Sequence, residues 1–163
     1  MSSHPVLALD LGGTQIRAAV VLPDGQRHAR SAIETPVAAG PDAIVDACIG
    51  ILRKVRRAAS GLGDVTGIGI ASPGPVDPHR GIVLEPPNLG DAFRDIALAE
   101  RVQRALGSPA YLDRDTNVAA LGERAFGAGR DCDDFVYLTV STGIGGGIVT
   151  GGRSAPRPGW PGR

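Results

Sequence analysis

A Gly-Gly pair between two apolar runs is the feature that most limits the folds open to this chain. The run Val6–Leu11 stops at Gly12-Gly13, and a second run, Ile16–Leu22, follows almost directly. Glycines in that place predict a tight reversal between two buried strands. Pro23-Asp24-Gly25 is a second turn signal, so Gln26–Glu34 is predicted to be a third, weaker antiparallel strand.

Beyond residue 40, helix and strand patterns alternate. Pro41–Ser60 predicts a helix because apolar residues, Cys48 among them, recur on one face at helical spacing, and Gly61 suits its exit. The other predicted helices are Asp95–Leu106 and Thr116–Phe126, and the other predicted strands are Thr66–Ala71, Ile82–Leu84, Ala110–Asp113, Phe135–Val140 and Ile144–Thr150. Antiparallel strands followed by this alternation predict an α/β fold, a mixed sheet with helices on its faces.

Length and charge argue against several classes of protein. The 163 residues suit one domain, and 17 basic residues balance 17 acidic ones, which argues against nucleic-acid binding through bulk positive charge. No apolar run approaches the roughly 18 residues of a membrane span, and Met1–Pro5 lacks the pattern of a secretory signal. The two cysteines suggest a reducing compartment. We therefore expect a cytoplasmic protein with neither nucleic acid nor membrane as a partner.

Two glycine segments are candidate phosphate-binding turns. The first is Asp10-Leu11-Gly12-Gly13-Thr14, and the second runs from Ser141 to Gly147. Glycines let backbone N–H groups approach an anion, Thr14 adds a hydroxyl, and Asp10 could hold Mg²⁺ through water. Either segment could also be a plain hairpin. The chain has no Gly-Lys-Ser/Thr of a Walker loop, and the strand predicted after the second segment argues against a dinucleotide fingerprint.

A third candidate segment, Asp113-Arg114-Asp115-Thr116-Asn117, lies where a predicted strand ends and a helix begins. Asp115 or Thr116 could simply cap that helix. A carboxylate there is favoured in its ionised form by the helix N-terminus. Phosphoryl transfer needs only a positioned Asp, because the hydroxyl proton can leave late in a loose transition state.

These three segments occur in order with two more patterns, Gly67–Asp77 and Pro87-Asn88-Leu89. Together they resemble the ROK family, which contains repressors and sugar kinases, bacterial glucokinases included. The resemblance runs from residue 6 to about residue 152. Repressors of the family carry a DNA-binding segment ahead of the first strand, and only five residues precede Val6, so a repressor is not expected.

The resemblance implies the actin-like, ribonuclease-H-like ATPase fold, with this chain as the first lobe and the start of the second. It implies ATP-dependent phosphorylation of a hexose hydroxyl, with glucose as the default sugar and Mg²⁺ as the metal. Asp115 would be the catalytic base, and Asn88, Arg114 and Asp115 would bind the sugar. Asp10 would lie near the phosphates and hold Mg²⁺ through water. The other residues that the resemblance places at the phosphates are Gly12, Gly13, Thr14, Thr142, Gly143 and Gly145.

The chain departs from the family pattern at Arg114, which stands where an Asn normally helps to hold the sugar. Mannose, fructose, allose and amino sugars therefore stay open as substrates, as does polyphosphate as donor. The family's Gly-x-x-Gly-Glu-x-Gly-His segment and its zinc-binding cysteine cluster do not occur. We predict no zinc site, with Cys48 in the core.

The last eleven residues, Arg153–Arg163, hold three Arg, three Pro and no acid. We expect a homologous region at 1–152 and a non-homologous, disordered tail at 153–163. A truncated or frameshifted kinase would explain this tail, and such a chain would be inactive. The alternative is a non-catalytic half-domain that binds a sugar or a partner. The full-length parent could form a homodimer.

Overall fold

The computed structural model describes residues 4–140 and 144–155, and the chain divides into two compact units, Met1–Arg114 and Asp115–Arg163. The strands are β1 (Val6–Leu11), β2 (Gln15–Val21), β3 (Arg27–Glu34), β4 (Ile68–Ser72), β5 (Val76–Asp77), β6 (Ile82–Val83), β7 (Ala110–Arg114), β8 (Phe135–Val140), β9 (Ile144–Thr150) and β10 (Arg153–Ser154). The helices are α1 (Pro41–Ala58), α2 (Leu98–Leu106) and α3 (Asp115–Phe126).

The first unit is built on a five-stranded sheet in the order β3-β2-β1-β4-β7. β1 is antiparallel to β2, β2 is antiparallel to β3, and β1, β4 and β7 run parallel. This confirms the predicted mixed sheet. The parallel half of the sheet requires helical crossovers, which α1 and α2 supply.

The core of the first unit lies between the sheet and its helices. α1 buries one stripe, which includes Cys48, Leu52 and Val55, and this confirms that Cys48 is a core residue. Arg56 near the end of α1 donates a hydrogen bond of 2.8 Å to the carbonyl of Leu106 at the end of α2. The contact satisfies a helix-terminal carbonyl that has no partner inside its own helix.

Two predicted helix boundaries are wrong. α1 ends at Ala58 and not at Ser60, and a short 3₁₀ turn covers Ser60–Leu62, so Gly61 does not end the helix. α2 begins at Leu98 and not at Asp95. Asp95 has a positive φ of 54°, and Ile96 exchanges two backbone hydrogen bonds of 2.9 Å with Val83, which hold this segment in an extended form.

The second unit consists of α3 and a three-stranded sheet in the order β10-β9-β8. β8 and β9 have the predicted bounds. Arg153 and Ser154 pair with Thr150 and Val149, so the predicted disorder of the tail is wrong for these two residues. Gly151 and Gly152 have positive φ values of 55° and 73°, and they form the turn that makes this pairing possible.

Among the residues that the structure describes, no helix combines the length and the apolar character that a membrane crossing requires.

Candidate functional site

The carboxyl ends of β1, β4 and β7 meet at one edge of the first unit's sheet. Asp10 pairs with Ala71, and Ala71 pairs with Asp113, so the two carboxylates project from the same face of the sheet. Two strand spacings separate them, roughly 10 Å. In open α/β sheets, ligands bind outside the carboxyl ends of the strands. This edge is therefore the candidate site of the first unit.

The Gly12-Gly13 turn is fixed at this edge by a residue that the sequence analysis missed. Gly12 N donates to the carbonyl of Gln15 at 3.0 Å and closes the hairpin. The buried Thr35 hydroxyl donates to the Gly12 carbonyl at 2.7 Å, and Thr35 N donates to the Thr14 carbonyl at 3.0 Å. Thr35 follows β3 and belongs to no recognisable motif, so nothing in the sequence identifies it as a residue that fixes the turn. The two bonds preorganise the turn and leave the Thr14 side chain exposed.

Asn88 lies directly against the glycine turn. A Cβ added to Gly13 would stand 2.6 Å from Asn88 Cβ and 2.6 Å from the Asn88 carbonyl oxygen. Leu89 and Phe93, 2% and 1% exposed, anchor the Asn88 loop in the core, while Asn88 itself is exposed. The structure thus brings together the predicted phosphate turn and the predicted sugar residue.

Asp10 has a carboxylate that is about half exposed, and its Oδ2 atom accepts a long bond of 3.4 Å from Arg17 Nη1. An exposed pair at this distance contributes little to stability. A carboxylate oxygen is the ligand type that Mg²⁺ prefers, usually with several waters retained. The side chain therefore fits the role of holding a hydrated Mg²⁺.

Arg114 ends β7 at the same edge and lies across Gly74. A Cβ on Gly74 would stand 3.1 Å from Arg114 Cδ and 3.2 Å from its Nε atom. Gly74 thus leaves room for the arginine stem. Arg114 N donates to the Asp113 side chain at 2.7 Å. The predicted substrate residue Arg114 is therefore placed at the edge that also carries Asp10 and Asn88.

In the second unit, the predicted base Asp115 is the first residue of α3 and is exposed. Its Oδ1 atom accepts a hydrogen bond of 2.7 Å from Thr116 N. The positive end of the α3 dipole favours a negative charge at this position. The carboxylate is thus held at a helix N-terminus by a backbone N–H donor.

Gly145 has a packing role that the sequence analysis did not anticipate. A Cβ there would stand 2.8 Å from Thr116 Cγ2 and 3.1 Å from Thr139 Cγ2. The glycine therefore allows α3 to approach β9 closely. Thr142 and Gly143, the other predicted members of this phosphate segment, lie outside the described residues.

Within residues 4–140 and 144–155, no cluster of three or more His, Cys, Asp or Glu side chains is arranged to hold a metal ion. Burial raises the pKa of the Cys48 thiol to about 12, so it stays protonated at neutral pH, while Cys132 is exposed. The absence of a zinc site stays a prediction.

Comparison with known proteins gives a family match over most of the chain. The model of the ROK family matches residues 6–157, five residues past the expected boundary at 152. A ROK family glucokinase from Streptomyces griseus, solved with glucose and AMPPNP, superposes with a TM-score of 0.81 at 34% identity, over 93% of this chain and 46% of that chain. The fold of the chain therefore corresponds to the N-terminal, actin-like lobe of such proteins.

Two curated relatives are equally similar and carry different names. A beta-glucoside kinase from Listeria innocua is 35% identical over 150 residues, which is 90% of this chain and 47% of that protein. A glucokinase from Thermotoga maritima is 35% identical over 158 residues, with 93% and 46% covered. The chain spans about half the length of the curated relatives that it matches.

Proposed function

The chain belongs to the ROK family, and from this premise we propose that it forms the N-terminal half of an ATP-dependent kinase that phosphorylates a hexose hydroxyl, with glucose as the acceptor. The contact between Gly13 and Asn88 carries this proposal. It puts a glycine turn suited to phosphate oxygens beside an exposed amide suited to a sugar hydroxyl.

We assign the phosphate-binding role to Gly12, Gly13 and Thr14, with Thr142, Gly143 and Gly145 as the second segment. The Gly12 N–H closes the hairpin, so the other backbone N–H groups of the turn and the Thr14 hydroxyl would donate to phosphate oxygens. Asp10 would hold Mg²⁺ through water. Mg²⁺, when bound, neutralises charge that develops on the transferring phosphoryl group.

We assign the base to Asp115. The hydroxyl oxygen of the sugar attacks the γ-phosphorus of ATP. The bond between the γ-phosphorus and the β–γ bridging oxygen breaks, so that ADP leaves, and the hydroxyl proton passes to the Asp115 carboxylate. Asp115 stands at the N-terminus of α3, where the helix dipole stabilises a negative charge. Because the proton leaves late in a loose transition state, a weak base is sufficient. Such a base typically contributes about 10²–10⁴-fold in rate.

The acceptor sugar is the finer part of the proposal. Asn88 would bind a hydroxyl through its amide, and Arg114 would present a cationic donor where the family pattern has a neutral amide. Glucose is supported by the name of the Thermotoga maritima relative, and a β-glucoside by that of the equally similar Listeria innocua relative. Parallel assays with glucose and a β-glucoside separate the two acceptors.

We also propose that the 163-residue polypeptide alone binds sugar without turnover. The burial of Leu89 and Phe93 favours retained binding, since it orders the Asn88 loop within the first unit. Turnover requires both reactants to be held and water to be excluded. A polypeptide about half as long as its kinase relatives is not expected to do this alone.

An ADP-release assay tests the assignment of Asp115. The enzyme for this test is a chimera in which residues 1–155 are followed by the part of the Thermotoga maritima glucokinase that lies beyond its matched segment. Asp115→Asn should lower the rate of the chimera by about 10²–10⁴-fold. Asp46→Asn, a control at an exposed position of α1 away from the sheet edge, should leave the rate unchanged. Equal effects of the two substitutions would contradict the assignment, and turnover by the isolated chain would contradict its proposed inactivity.

A further inference from the structure

Both glycines of the first turn are closely packed against other parts of the backbone. A Cβ on Gly13 would stand 2.6 Å from the Asn88 carbonyl oxygen, and a Cβ on Gly12 would stand 3.0 Å from the Gln15 carbonyl oxygen. Two adjacent glycines also give the backbone more conformational freedom than any other pair of residues. The peptide plane between Gly12 and Gly13 can therefore rotate unless a group outside the turn holds it.

The orientation of this peptide plane decides what the turn offers to an anion. In a trans peptide, the carbonyl of one residue and the N–H of the next point in opposite directions. One orientation of the plane presents the Gly13 N–H to a phosphate, and a flip of about 180° presents the Gly12 carbonyl oxygen instead. The N–H attracts a phosphate oxygen and the carbonyl oxygen repels it, so only the first orientation suits phosphate binding.

Thr35 holds the Gly12 carbonyl in one direction. Its hydroxyl donates to that oxygen at 2.7 Å, so the Gly13 N–H points away from the Thr35 side chain, which is only 7% exposed. In the part of the chain that the structure describes, no backbone carbonyl accepts a hydrogen bond from the Gly13 N–H. This N–H and the exposed Thr14 side chain are therefore the donors that the turn presents to a ligand.

Thr35 is itself fixed through its own backbone. Its N–H donates to the Thr14 carbonyl at 3.0 Å, and its carbonyl accepts a hydrogen bond of 2.8 Å from Val37 N. The second bond closes a three-residue turn around Pro36, which has φ −80° and ψ 58° and which disfavours helical backbone at Thr35. A β-branched side chain also has few χ1 rotamers. The hydroxyl thus reaches the Gly12 carbonyl from a rigid support.

We propose that Thr35 is a positioning residue for nucleotide binding: its hydroxyl keeps the Gly12–Gly13 peptide in the orientation that directs the Gly13 N–H toward the phosphates. This inference rests on the proposed function, since it concerns the phosphate-binding role assigned to the turn. It goes further, because Thr35 acts only through the Gly12 carbonyl and touches neither nucleotide nor sugar. A hydroxyl at position 35 is then required for full affinity for the nucleotide, whichever sugar accepts the phosphoryl group.

Kinetic constants of the chimera test the proposal. Thr35→Val nearly keeps the side-chain shape and removes the hydroxyl, Thr35→Ser keeps the hydroxyl, and the control Thr66→Val removes an exposed hydroxyl ahead of β4, at the end of the sheet remote from the site. Thr35→Val should raise the KM for ATP ~10-fold or more, as expected for a lost hydrogen bond to a charged group, and change the KM for the sugar by less than ~2-fold. Thr35→Ser should return the KM for ATP to within ~3-fold of the parent value, and Thr66→Val should leave it unchanged.

An unchanged KM for ATP in an active Thr35→Val chimera would overturn the proposal. So would equal rises in both KM values that Thr35→Ser does not reverse, because a general loss of structure would then explain them. Thr35→Ala removes the hydroxyl without placing a methyl group beside the Gly12 carbonyl, and it takes the place of Thr35→Val if that variant does not fold. A parent chimera without turnover would instead contradict the proposed function, and NMR of the 163-residue chain then decides the role of Thr35.

NMR provides a readout that does not need turnover. Millimolar Mg·ATP should shift the amide signal of Gly13 in the parent chain and in Thr35→Ser, and should not shift it in Thr35→Val. The amide of Gly50, inside α1, should keep its position in all of these chains and serves as the reference. A Gly13 shift that is equal in the parent and in Thr35→Val would overturn the proposal, and so would the absence of a shift in the parent.

Discussion

Gly13 and Asn88 are so close that a Cβ on Gly13 would stand 2.6 Å from both the Cβ and the carbonyl oxygen of Asn88. Only glycine fits at position 13, because a side chain there would clash with the Asn88 backbone, which cannot rotate away. The contact joins the first hairpin to a loop that lies far along the chain. It couples the order of the turn to the order of the loop.

Gly13→Ala should therefore destabilise the protein and weaken sugar binding together. Forcing a methyl group into a filled space costs about 1–3 kcal/mol. Chemical denaturation gives the free energy of unfolding. Gly50→Ala is the matched control, because it lies inside α1 with nothing within 4 Å of the added Cβ, and it should stabilise the helix by about 0.5–1 kcal/mol. A Gly13→Ala variant as stable as the parent would show that the Asn88 loop is not fixed by this contact.

Gly147→Ala should loosen the second unit. The added Cβ would stand 2.6 Å from the Thr116 carbonyl, so α3 and β9 would have to separate, at a cost of about 1–3 kcal/mol. Hydrogen exchange of the β9 amides should accelerate accordingly. Gly122→Ala, in α3 with open space around the new Cβ, should slow the same exchange or leave it unchanged. The packing argument would be wrong if both variants behaved alike.

Cys48 should make the stability of the protein depend on alkaline pH. Burial raises the pKa of its thiol from 9.0 to about 12, so above pH 9 the unfolded chain loses a proton that the folded chain keeps. The free energy of unfolding should then fall by about 1.4 kcal/mol per pH unit between pH 9 and 12 through this group. Denaturation curves across that range provide the measurement, and Cys48→Ala should have a shallower slope. Equal slopes would mean that the thiol is accessible to solvent.

The strands were easier to predict than the contacts between them. Phe135–Val140 and Ile144–Thr150 are apolar runs with clear ends, and both strands have the predicted bounds. The start of α2 was missed because the hydrogen bonds of Ile96 to Val83 override a helical pattern. β5, Val76–Asp77, is too short to show periodicity and exists only through its pairing with β6.

The sequence proposes the residues of the candidate site but not their geometry. Asp10, Asn88 and Arg114 were identified through a family resemblance, because separate segments of a sequence carry no information on which of them touch. Thr35 fixes the glycine turn by two hydrogen bonds, and Gly74 makes room for Arg114, yet neither belongs to a pattern that single-sequence reasoning recognises as a contact. The role of Thr35 becomes visible only when β3 is paired with β2, and that of Gly74 only when β4 is paired with β7.

The central claim is that the first unit holds a sugar-binding edge organised around Asn88. Calorimetric titration of glucose into the 163-residue chain tests it most directly, with Asn88→Ala and the remote variant Gly50→Ala measured alongside. We predict millimolar binding by the parent and by Gly50→Ala, weakened about tenfold or more in Asn88→Ala, as the loss of one hydrogen bond to a hydroxyl implies. Binding unaffected by Asn88→Ala, or no heat from a folded parent at millimolar glucose, would contradict the account.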